Sequence, residues 1–103
     1  MYHIAFYVPE SHAESVKESM FLAGAGKIGG YRRCAFEIAG IGQFEPLKGS
    51  NPFVGQVEVL EKVKEVKVEM VCEEEFLIKS IEAMKRSHPY ETPAYYVIKT
   101  IGI

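Results

Sequence analysis

The sequence predicts an α+β domain, a ferredoxin-like βαββαβ sandwich with an extra hairpin between the second and third core strands. Three observations lead there. Apolar residues alternate over Tyr2–Val8, Tyr31–Ala39, Val66–Cys72 and Ala94–Ile101, which is the period of strands. Two stretches, about residues 12–23 and the run opened by Glu73-Glu74-Glu75, place apolar residues at helical spacing. Their order, β-α-β followed by β-α-β, is that of a split βαβ unit. At 103 residues the chain reads as a single domain, 1–103, with one core and a hairpin-like excursion at 40–62.

In the first strand, Ile4, Phe6 and Val8 fall on one face and His3, Ala5 and Tyr7 on the other. Pro9 ends it. Ser11-His12-Ala13-Glu14 has the form of a capping box, with Ala13, Val16, Met20 and Ala23 on the helical face that follows and Gly24 just past the helix end. The next segment, Gly24 to Gly30, contains G-x-G-x-x-G, but it follows a helix and precedes a strand, the reverse of a dinucleotide fingerprint. It reads as a flexible connection, or else as a backbone-amide anion nest with Lys27 beside it. The second strand predicts Cys34, Phe36 and Ile38 inward. Within the excursion, Lys48-Gly49-Ser50-Asn51-Pro52 is a turn cluster and Gly55–Leu60 reads as a strand. Helix two has its acidic triplet at the N-terminus and Lys85, Arg86 and His88 at the C-terminus, complementing the dipole at both ends. Leu77, Ile81 and Met84 form its buried stripe. With the helices on one sheet face, the other shows Ala5, Tyr7, Ala35, Val71, Tyr95 and Val97 among charges. That face is apolar enough to predict a cover, most simply other copies of the chain.

Composition narrows the chemistry. The net charge of −2, with lysines interleaved among glutamates, carries no nucleic-acid footprint. No run is long and apolar enough for a membrane span, and Met1-Tyr2-His3-Ile4 lacks a cationic lead, so the expected location is cytoplasmic. All 14 acidic residues are glutamates. Two-metal and phosphoryl-transfer sites often use Asp, and three scattered histidines offer few ways to build one without it. Cys34 and Cys72 read as small buried hydrophobes.

The densest polar chemistry is Ser87-His88-Pro89-Tyr90-Glu91-Thr92-Pro93, joining helix two to the last strand. Two prolines stiffen a connection that bears an imidazole, a phenol and a carboxylate. The segment is a rigid capped turn on one reading and a ligand or subunit contact on the other. At the helix end, His88 is placed to donate to terminal carbonyls or to meet Glu91, with the helix dipole favouring its protonated form.

Three segments together resemble the inserted domain of the Nif-three-like family of dinuclear-metal proteins: G-A-G-K-I-G-G-Y-R-R-C (24–34), G-I-G-Q-F-E-P-L-K-G-S-N-P-F-V-G (40–55) and H-P-Y-E-T-P (88–93). The resemblance implies a CutA/PII-like fold of trimeric kind, and the last segment is also similar to the His-Pro-Tyr-Glu-x-Pro element of CutA. In PII proteins an effector loop lies between the second and third core strands, where 40–62 lies here. The candidate ligand-binding residues are therefore Gly42, Gln43, His88, Tyr90 and Glu91 within the resembling segments, with Lys27 from the anion-nest reading. The family's metal ligands come from flanking domains that this sequence does not contain, so its two-metal chemistry and cyclohydrolase label do not transfer.

The function expected is a non-enzymatic oligomeric module binding a small effector or a protein partner, itself assembled as a homotrimer, with no nucleic acid or membrane partner. The alternative is a CutA-like protein in which His88 and Glu91 supply divalent-metal ligands, pooled between subunits because zinc takes three or four. An acid–base site of His88, Tyr90 and Glu91 would make it an enzyme, but no nucleophile accompanies them.

Overall fold

In a computed structural model describing Met1–Ile103, four antiparallel strands form one sheet with two helices on one face. The elements are β1 (Tyr2–Pro9), a 3₁₀ turn (Glu10–His12), α1 (Ala13–Leu22), β2 (Phe36–Phe44), β3 (Glu61–Cys72), α2 (Glu74–Ser87) and β4 (Tyr95–Lys99). The strand order is β2-β3-β1-β4. Both β1 and β2 run antiparallel to β3, so they are parallel to each other with β3 between them, the split βαβ arrangement.

Alternation in the two central strands builds the core. Ile4, Phe6 and Val8 stand opposite Met70, Val68 and Val66, and all six are buried. Residues in register share a face. The helices close this face with Ala13, Val16 and Met20 from α1 and Met84 from α2. Leu77 and Ile81 pack partly buried at its margin. Between the helices, the Ser19 hydroxyl donates to the Ala83 carbonyl at 3.3 Å. Cys72 is buried, as expected, with its thiol toward the Glu73 carbonyl, whereas Cys34 lies half-exposed in the connection before β2.

Several expectations are corrected. β2 starts at Phe36, not Tyr31, and Arg33 just before it has φ 59°. Phe36 and Ile38 do not face the helices. They stand opposite Glu69 and Lys67, on the open face, while Glu37 points to the helix side and pairs with Lys17. β4 is inverted in the same way: Tyr95 and Val97 share the face of Phe6 and Ile4, leaving Tyr96 and Ile98 on the open face. A period of two says which residues share a face but not which face it is. The capping box is absent, since the 3₁₀ turn makes His12 the N-cap and no side chain caps it. Gly55–Leu60 forms no strand. Residues 45–60 are a loop, with Gly55 at φ 96° and Glu58 at φ 62°, both outside strand geometry. The excursion is thus the outer end of the β2–β3 ladder plus that loop, and the molecule is elongated, 46 by 24 by 24 Å.

Candidate functional site

The site grows from the end of α2. Pro89 requires extended backbone at the residue before it, and His88 has φ −75°, ψ 137°. Its N–H makes the last helical bond, to Met84 O at 2.9 Å. The ring then turns inward and is buried. Nδ1 accepts from the Tyr90 N–H at 3.1 Å, which fixes the proton on Nε2, and Nε2 donates to the Tyr7 carbonyl at 2.7 Å. The Tyr7 N–H in turn donates to Ala94 O at 3.3 Å. One peptide position of β1 therefore anchors both ends of the 88–94 loop. Burial holds the His88 imidazole below its ordinary pKa, against the opposing pull of the Tyr7 carbonyl. The expectation of a protonated His88 bonded to helix carbonyls or Glu91 is corrected: the ring is a neutral strut between loop and strand.

On this strut stands Tyr90, its ring centroid 4.9 Å from that of His88. Its hydroxyl donates to Glu65 Oε2 at 2.7 Å. Burial, followed by the carboxylate beside it, pushes the phenol well above its ordinary range, so it stays a donor at any physiological pH. Glu65 can lie where it does because its diagonal neighbour across the ladder is Gly42: a Cβ there would sit 1.7 Å from Glu65 Oε1. Glu91 reaches the other way and accepts the Asn51 N–H at 2.8 Å, tying the 88–94 loop to the 45–60 loop. Phe44 and Phe53 pack on Tyr90 with centroids at 6.1 and 6.4 Å.

These elements frame a half-open cavity of about 450 Å³ between the outer end of β2, the two loops and the Tyr7 side of β1. Of the sequence-predicted residues, Gly42, Gln43, Tyr90 and Glu91 line it. His88 lies behind Tyr90 rather than in the wall. Lys27 is not brought to the site; its ammonium sits 5.3 Å over the Phe76 ring. In the segment of the anion-nest reading, the Gly26 N–H donates to Val71 O and the Ile28 N–H to Tyr31 O, so these two amides are engaged within the fold. The metal pair of His88 and Glu91 is not assembled in this conformation, since both imidazole nitrogens are engaged and no three His, Cys or Glu side chains gather anywhere in the chain. Of the three residues of the acid–base reading, Tyr90 and Glu91 line the cavity and His88 stands behind them. The sequence reading missed Glu65 and Tyr7. A glycine inside a strand, as at Gly42, signals a close approach by another group, and that was the available clue to Glu65.

No family model matches the chain. A GTP cyclohydrolase 1 type 2 homolog of Halalkalibacterium halodurans is 44% identical over 95 residues, covering 92% of this chain but 26% of that protein. The chain thus spans about a quarter of the length of the curated relatives it matches. The crystal structure of a Bacillus cereus protein related to NIF3 superposes with a TM-score of 0.80 at 38% identity, over 94% of this chain and 24% of that one. CutA1 from Pyrococcus horikoshii superposes over its greater part, with a TM-score of 0.71, 20% identity and coverage of 100% and 86%, a likeness of fold.

Proposed function

Because the chain is a CutA/PII-like domain of the Nif-three-like family, we propose that it works as an accessory module that binds a small ligand in the cavity between β2 and the 88–94 loop. The single observation that supports this reading is the cavity itself. It has the volume of a small-molecule site, and its lining is held in place by directional bonds from groups behind it. The cyclohydrolase named for the longer relatives is not assigned to this domain.

A ligand-observed NMR screen with small fragments tests the reading, with Gly42→Val as the blocked control because a side chain there displaces Glu65. Hits that compete for one site and vanish in the control support it. No hits, or hits unaffected by the control, defeat it.

The module also associates with itself, as a trimer on this reading. Phe36, Ile38, Tyr96 and Ile98 are all about half or more exposed on the helix-free face, on the two edge strands β2 and β4, with β3 and β1 between them. Sedimentation equilibrium at micromolar concentration distinguishes the trimer from a monomer, and Ile98→Lys is expected to shift it to monomer without unfolding the subunit.

A further inference from the structure

Resting on that reading of the cavity, we propose that its ligand is a small organic cation with an apolar body, an amidinium or ammonium compound. The walls are of two kinds. Ile41, Phe44, Pro46 and Pro52 are apolar, and two carboxylates come in from separate elements, Glu65 from β3 and Glu91 from the 88–94 loop. No Lys, Arg or His is among the lining residues. Neither carboxylate takes part in an ion pair, although six other pairs form elsewhere in the chain. Each has one oxygen engaged, Glu65 Oε2 by the Tyr90 hydroxyl and Glu91 Oε1 by the Asn51 N–H, so each keeps an acceptor for a further donor.

The nearest basic residue along this face of β3, Lys67, holds Glu69 at 3.4 Å and lines an adjoining smaller groove, which Glu65 borders from its other side. An anionic ligand would therefore meet two like charges with no counter-charge in the wall, at a site whose apolar sides strengthen the repulsion. A metal that seeks nitrogen or sulfur, such as zinc, would find neither in the wall, and no third His, Cys or Glu joins the two carboxylates. A cation with an apolar body satisfies both halves of the wall.

The test uses three probes with one aromatic body and different charge: benzamidinium, benzamide and benzoate. Amide resonances of Gly42, Gln43, Ser50 and Tyr90 report binding. Benzamidinium is expected to bind roughly tenfold more tightly than benzamide, the value of a charge-assisted hydrogen bond, and benzoate most weakly. The preference should shrink several-fold in Glu91→Gln, an exposed position whose change leaves the fold intact, and fade as salt is raised. Benzoate binding as tightly as benzamidinium, or an unaltered preference in Glu91→Gln, overturns the assignment of charge while leaving the cavity a ligand site. Silence from all three probes, with fragment hits still found in the screen above, also overturns the charge assignment. Silence in both experiments overturns the cavity reading itself.

Discussion

The two halves of the sheet are held together by different physics. Around β1 and the inner end of β3, the helices bury Ile4, Phe6, Val68 and Met84 completely. At the outer end, where β2 and β3 run on into the 45–60 loop, Phe44 and Phe53 pack on Tyr90, and single polar bonds fix the shape: Tyr90 to Glu65, Glu91 to Asn51 and, beneath them, His88 to Tyr7. Apolar burial is non-directional and collectively large, at about 25 cal/mol per Å². A polar bond is directional but nets only about 1 kcal/mol. The inner half therefore sets stability, and the outer half sets the geometry of a cavity at little energetic consequence. A site that must admit a ligand belongs in the second kind of structure.

The sharpest way to separate the halves is to remove one residue from each. Phe6→Ala, at a fully buried position in the middle of β1, is expected to cost about 3–5 kcal/mol, enough to unfold a marginal domain. Urea denaturation measures it, and a cost under about 1 kcal/mol would mean that the core lies elsewhere. Tyr90→Phe removes only a hydroxyl and leaves Glu65 without its donor. The expected cost is about 1–2 kcal/mol, with ligand binding in the cavity weakened out of proportion to stability.

The inner half was the legible one. Strict alternation in Ile4-Phe6-Val8 and Val66-Val68-Met70, and helical spacing in Ala13-Val16-Met20, each repeat a period that only one structure satisfies. The outer half was not legible to the same degree. Phe36 and Ile38 alternate as cleanly as the core residues, yet they line the opposite face, because pairing with β3 rather than composition decides the side. Val57 and Val59 look like strand residues but follow Gly55 and flank Glu58, whose positive φ values turn the chain. Prolines and a histidine marked the 88–94 loop as rigid and polar, and two of its residues in the cavity wall, Tyr90 and Glu91, were named together with Gly42 and Gln43 of β2. Glu65 stayed hidden among the alternating lysines and glutamates of β3, since its partner Tyr90 lies 25 positions away.

The strut beneath the site makes a prediction in pH. The folded pKa of His88 lies below its unfolded value of about 6.5, so the unfolded chain binds protons more readily in this window. Its contribution is complete above about pH 6.5 and is lost as pH falls towards the folded value, because protonation removes the acceptor that Nδ1 offers Tyr90. Stability curves of the wild type and His88→Gln should therefore converge as pH drops below 6.5 and run apart by about 1 kcal/mol above it. Parallel curves across that window would assign the acid sensitivity to other groups.

The smallest effect should come from Glu91, and it isolates the tie between the two loops. Its side chain is exposed and makes one bond, to the Asn51 N–H. Glu91→Ala removes an acceptor that water can replace, so global stability should change by about 0.5 kcal/mol or less. Local opening is a different quantity. Residues 45–56 bury little beyond Pro46, with Leu47 exposed and Phe53 only edging Tyr90, so the carboxylate adds a sizeable part of what holds that segment against Tyr90. Amide exchange at Asn51 should accelerate several-fold in the variant, while the Val66–Met70 amides, locked between two neighbouring strands, exchange as before. Equal acceleration in both segments would show that the outer half opens only when the core does, and the division between a stable half and an adaptable one would fail.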